Sequence, residues 1–140
     1  MKNKFTYILV GLFASMGVVN ADMFVPDFET MPAIRCDVSE TIYNQDNTVV
    51  THNKYFRIFR IDDEAKKVYL QKAPVDNLLY IDENKVQIHL QTLTDDSIIS
   101  EQVTIDRTNN TYSGTSQIMY DNAMFQSRYA KTNGLCNALN

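Results

Sequence analysis

The sequence predicts an all-β domain, an antiparallel up-and-down meander of about eight strands closing into a small barrel or a strongly curved sheet. Three observations point there. Apolar residues alternate with polar ones over short runs, with Val86, Ile88, Leu90 and Thr92 sharing one face and Gln87, His89 and Gln91 the other. After residue 21, no stretch keeps apolar residues at the i, i+3, i+4, i+7 spacing of an amphipathic helix. A turn signature also recurs, with a β-branched residue followed by Asp at Ile61-Asp62, Ile81-Asp82 and Ile105-Asp106. A two-sheet sandwich is the alternative architecture.

The strands are expected near 33–43, 48–61, 67–72, 78–81, 85–93, 98–106, 111–120 and 123–131. Tyr55, Arg57, Phe59 and Ile61 share one face of the second run, and Phe56, Ile58 and Arg60 the other. The series Ile99, Val103 and Ile105 is interrupted on its own face by Glu101. Tyr112, Ile118 and Tyr120 form another single-parity series. Gly114, in Thr111-Tyr112-Ser113-Gly114, suggests a bulge or a barrel bend. Turns are left to Asn and Asp, because Gly114 and Gly134 are the only glycines beyond residue 21.

The three Ile-Asp turns lie 20 and 24 residues apart, about two strands and two turns each time. An Asp at such a position accepts hydrogen bonds from backbone N–H groups two residues on and nucleates the turn. Asp62, Asp82 and Asp106 are therefore expected to be structural. Even numbers of strands separate them, which places all three at the same end of the sheet. A shared acidic rim there could hold a cation or a basic partner.

Residues 1–21 read as a secretory signal peptide. Lys2 and Lys4 precede a 13-residue apolar run from Tyr7 to Val19. Val19-Asn20-Ala21 then fits the small-x-small pattern of a cleavage site, so the mature chain is expected to begin at Asp22. The apolar run is short of the roughly 18–20 residues that span a bilayer, so no stable membrane insertion is expected after cleavage. No cysteine near the cut suggests lipidation. Cleavage leaves 119 residues, enough for one domain, with 11 basic and 17 acidic side chains. A net charge of −6 argues against nucleic acid or an anionic membrane surface as a partner. Residues 22–33 read as an extended N-terminal arm with Phe24, Val25, Phe28 and Met31 able to lie on the domain at 34–140.

Cys36 and Cys136 both lie in the exported part, where disulfides persist, and as the only two cysteines they allow one pairing. No C-x-x-C occurs, and neither His52 nor His89 is near a cysteine in sequence, so nothing indicates a redox pair or a metal site.

The segments Phe59-Arg60-Ile61-Asp62-Asp63 and Ile105-Asp106-Arg107-Thr108, with a closing Gly134-x-Cys136, resemble a loose group of small exported bacterial β-domain proteins of unknown function. The resemblance covers about a tenth of the chain, in turn and disulfide residues. It implies an exported β domain and transfers no activity.

No pattern calls for catalysis or a cofactor. Gly-x-Ser-x-Gly is absent, and both cysteines are assigned to the disulfide. His89 alternates with polar residues on an outward face. The acidic clusters Asp62-Asp63-Glu64, Asp82-Glu83 and Asp95-Asp96 fall at expected turns and lack the spacing of a calcium loop. The aromatic-basic run Tyr55-Phe56-Arg57 with Phe59-Arg60 reads as a packed strand whose arginines pair with carboxylates.

The expectation is therefore a non-catalytic, exported binding protein of the cell envelope, an inhibitor or immunity-type factor acting on another protein. Small disulfide-stapled barrels that inhibit lysozyme share its size. Their Ser-Gly-x-x-Tyr is not reproduced, because Gln117 follows Ser113-Gly114 at that place. A barrel carrier of a small apolar ligand is the alternative, although the Gly-x-Trp of lipocalins is missing and the chain has no Trp. A fibre subunit completed by a neighbour's strand is a third class, for which residues 22–33 are a poor donor.

Overall fold

The computed structural model describes residues 27–139, so the expected leader and its cleavage point lie outside the described residues. Nine strands and no helix are found among them: β1 (Ala33–Tyr43), β2 (Val49–Asp62), β3 (Lys67–Leu70), β4 (Ala73–Pro74), β5 (Asn77–Ile81), β6 (Lys85–Leu93), β7 (Ser97–Asp106), β8 (Thr111–Tyr120) and β9 (Arg128–Ala138). All neighbours are antiparallel, in the order β4-β3-β2-β1-β9-β8-β7-β6-β5. Every pair joins consecutive strands except β1 with β9, where the first and last strands meet at the middle of the sheet. The fold is a meander curled into a half-barrel, left open along a seam between its two edges.

The parity of each strand explains the curl. One face collects Val38, Phe59, Ile61, Val68, Val86, Ile88, Val103, Ile105 and Tyr112 into a buried core, with Cys36 and Cys136 beside them. With no helix or second sheet among the described residues to cover it, the sheet buries that face by wrapping round it. The cysteines stand directly opposite each other in the β1–β9 register and are disulfide-bonded across it, with a sequence separation of 100.

The last strand differs from the expected 123–131. Residues 121–127 form a loop, and β9 runs on to Ala138. Its inward positions are Ala130, Thr132, Gly134 and Cys136, too small to show as an apolar alternation. Their size is what lets β1 and β9 approach. A Cβ built on Gly134 would stand 1.9 Å from the Asp37 carbonyl oxygen, an impossible contact. Gly114 makes no bulge, because β8 keeps continuous register with both neighbours through it. It instead leaves room for the Thr132 hydroxyl, which a Cβ would meet at 2.7 Å.

The expected strand 67–72 ends at Leu70, and the short strand β4 follows it beyond a turn. Gln71 and Lys72 both adopt positive φ (51° and 70°) and form a two-residue hairpin turn between β3 and β4. Such turns ordinarily show themselves as Asn-Gly, and Gln-Lys carries no such signal. The arm also departs from an extended path. Residues 28–30 form a turn, Met31 is buried, and the Phe28 ring meets Tyr69 of β3 edge-on at 5.1 Å.

Candidate binding surface

The two ends of the half-barrel are built differently. At one end lie the three Ile-Asp turns. Asp62 accepts a bond from the Ala65 N–H (3.0 Å), Asp82 from Asn84 and Lys85 (2.7 and 2.9 Å), and Asp106 from Thr108 and Asn109 (2.9 and 3.0 Å). These bonds hold the carboxylates of Asp82 and Asp106 below the ordinary range. For Asp82 the Tyr80 hydroxyl contributes most, and for Asp106 the Asn109 N–H.

Arg107 ties the three turns together. Its guanidinium donates to both carboxylate oxygens of Asp63 (2.7 and 2.9 Å) and to the Asp82 carbonyl (2.8 Å). Its own N–H donates to the Asn84 carbonyl at 2.7 Å. The rim is thus acidic but internally neutralised at its one arginine. No group of three metal-ligating side chains occurs there or elsewhere among the described residues.

The middle of the hollow is spanned by charge. Arg57 of β2 makes a two-pronged ion pair with Glu101 of β7 (2.7 and 3.0 Å) and donates to the Tyr112 hydroxyl of β8 at 2.6 Å. The two charged side chains are only 18% and 8% exposed. Glu101, which breaks the apolar series of its strand in sequence, therefore points inward to meet a cation. Burial opposes the Arg57 charge most strongly of any single influence, but the Glu101 hydrogen bonds together with the electrostatic attraction of Tyr112, Glu101 and Tyr55 outweigh it and keep the guanidinium protonated. Burial pushes the phenols of Tyr55 and Tyr112 up, so both stay neutral. Because β1, β9 and β8 lie between β2 and β7 in the sheet, the pair crosses the hollow and ties its two walls.

The opposite end is formed by loops 44–48, 94–96 and 121–127. They are tied to one another by Asp121 N–H to the Asp96 carbonyl (2.9 Å), by Arg128 to Asn44 (3.3 Å), and by bonds from Gln45 to Ser127 and Tyr129 to Asn47. Here the apolar residues face solvent. Met124 is 88% exposed, Leu93 74% and Phe125 62%, and Val49 and Met119 are also exposed. The Phe125 ring packs edge-on against Tyr120 at 5.9 Å, with the Arg128 guanidinium 5.8 Å from the Tyr120 ring.

The larger clefts among the described residues open to solvent. One of about 360 Å³ lies along the seam between Arg57, Leu70, Val75 and Leu90. His89 faces outward on β6, and His52 of β2 meets the Thr41 hydroxyl at 3.0 Å.

The sequence marked the Asp turns, the cysteines and the odd placement of Glu101. It did not mark the exposed rim, since Leu93, Met119, Met124 and Phe125 read as strand residues there. It also did not reveal the tying role of Arg107, whose partners are distant in sequence. No family model, characterised protein or solved structure matches this chain.

Proposed function

We propose that this is an exported, non-catalytic binding protein of the cell envelope, an inhibitor or immunity-type factor that docks on another protein through the loop end of the half-barrel. The observation that carries this reading is the exposed set of Leu93, at the end of β6, with Met124 and Phe125 on loop 121–127, which is tied to the neighbouring loops. Aromatic residues and Met, with Arg alongside, are the types enriched where proteins bind each other, and an exposed apolar patch of this kind marks such sites. The expected leader and the Cys36–Cys136 bond support export.

The interior supports surface binding over the carriage of a small apolar ligand. Its apolar half is filled by core side chains, and the Arg57–Glu101 pair occupies the next layer. An apolar ligand placed there would meet charge.

The test uses the purified protein, immobilised, to capture partners from envelope extract. A partner held by the native protein and lost on Met124→Ser plus Phe125→Ser, with an unchanged β-type circular dichroism spectrum, is the expected result. Equal capture by that variant and the native protein overturns the docking surface.

A further inference from the structure

The seam exposes backbone as well as side chains. β2 is the longest strand, yet β3 covers only its Phe59–Asp62 part. Gln71 donates its N–H to the Ile58 carbonyl at 3.0 Å. In an antiparallel strand, backbone groups alternate in direction, so the even-numbered residues of β2 face this side. The N–H and C=O groups of His52, Lys54 and Phe56 then point at the seam, where no strand of the described residues meets them.

The sheet's two formal edges are blunted in ordinary ways. β4 has two residues and ends in Pro74, and β5 carries a register irregularity between Leu78 and Tyr80. The free part of β2 has only Lys54 and an irregularity at its start, opposite Ile42/Tyr43. Natural sheets cover or interrupt an edge of this length.

We propose that this edge takes up an extended segment of a partner polypeptide as an added strand, filling the seam. The inference rests on the reading of the chain as a protein-binding one and names how the partner attaches. The chemistry of the segment follows from the walls. Toward the hollow, its side chains enter a cleft that Arg57, Asp76 and Asn77 line along with Leu70, Val75 and Leu90, so those that sit beside the last three are apolar. Toward solvent they lie beside exposed His52 and Lys54, so they are acidic. Residues 49–58 contain His52, Lys54 and Arg57 and no carboxylate. A second copy pairing edge to edge about Asn53 would set Lys54 opposite His52 with no acid to offset it, so charge favours a foreign, acidic strand.

The probe is a synthetic ten-residue peptide of alternating Val and Glu without proline, with a Val and Lys version as control. Binding is followed by fluorescence anisotropy, and amide exchange is read residue by residue on the native protein. The acidic peptide is expected to bind and to slow exchange at His52, Lys54 and Phe56, while the basic peptide binds at least about tenfold more weakly. Lys54→Glu is expected to reverse that preference without loss of the fold. Lys54→Pro removes a donor that β1 does not use, and should abolish binding of both peptides.

Binding that leaves the three amides unchanged, or equal binding of both peptides, overturns the proposal. So does protection of those amides in the free protein, whether from a second copy or from the chain's own N-terminal residues. A captured partner that protects loops 121–127 but not these amides overturns strand addition and leaves the protein-binding reading intact.

Discussion

The turn end and the loop end of the half-barrel share the same strands and the same curvature, yet they spend their apolar residues in opposite directions. At the turn end, Ile61, Ile105, Val68 and Val86 are buried, each Ile-Asp carboxylate is bonded to its own turn, and Arg107 joins the turns. The disulfide and both ends of the described chain lie in that half, where the Leu139 N–H donates to the Ala33 carbonyl at 2.9 Å. At the loop end, Leu93, Met124 and Phe125 face water. Stability is thus concentrated at one end, leaving the other free to hold residues that contribute little to folding. Separation of this kind is how a small domain carries an apolar contact surface without weakening its core.

The largest effect on stability is expected at the turn end. Replacing Cys36 and Cys136 together by Ser should lower stability by up to about 4.7 kcal/mol, the chain-entropy figure for a loop of this length. Urea unfolding of the native and Ser forms measures it, and a loss confined to a few tenths would show that the closed loop is not what holds β1 to β9.

The next probe cuts the tie between the walls. Glu101→Leu alone leaves Arg57 in the hollow without its carboxylate and should cost about 3 kcal/mol. Combining it with Arg57→Met should restore most of that loss, since two apolar side chains can replace a buried pair. If the double variant is as unstable as the single one, the pair has a role beyond joining the two walls.

At the seam, Gln71 and Lys72 hold a left-handed conformation that suits Asn and Gly. Gln71→Asn with Lys72→Gly should raise stability by on the order of 1 kcal/mol, read as a higher Tm.

Acid should act mostly on the turn end, which holds three of the four depressed carboxylates among the described residues, the fourth being Asp46 of loop 44–48 under its Thr48 hydrogen bonds. Asp63, Asp82 and Asp106 all have carboxylates held below their ordinary value of 3.8, Asp63 chiefly by the Arg107 hydrogen bonds. A carboxyl whose folded value is depressed contributes stability that is fully present above 3.8 and disappears as pH falls through the lower folded value. The Tm should therefore fall below about pH 4, and Asp106→Asn with Asp82→Asn should flatten that dependence.

The smallest effect on stability is expected at the loop end. Met124→Ser and Phe125→Ser should each stay within about 0.5 kcal/mol of the native protein while removing partner capture. A large Tm loss there would show that these side chains belong to the fold.

The elements that sequence alone describes well are those whose inward residues are large. In β6, Val86, Ile88 and Leu90 announce the face, and the strand runs over 85–93 as the alternation requires. In β9 the inward residues are small because β1 lies against them, and the same packing that fixes the strand erases its signal. The β3–β4 hairpin escapes notice for a different reason, since its turn uses residues that tolerate positive φ only at a cost. The site divides likewise. Asp62, Asp82 and Asp106 act on neighbours two or three residues away, so spacing reveals them. Glu101 and Arg57 meet across the hollow from 44 residues apart, and only the break in apolar pattern hints at it. Nothing local distinguishes an exposed Met124 from a buried one.

If the turn end holds the fold and the loop end with its seam holds the proposed partner, the two ends will respond differently to binding. Residue-resolved amide exchange, run on the native protein with and without its captured partner, separates the two roles. New protection is expected in loops 44–48, 94–96 and 121–127 and along the free edge of β2, with the three Ile-Asp turns unchanged. New protection at residues 62–66, 82–84 and 106–110, with the loop end unaffected, would contradict that division.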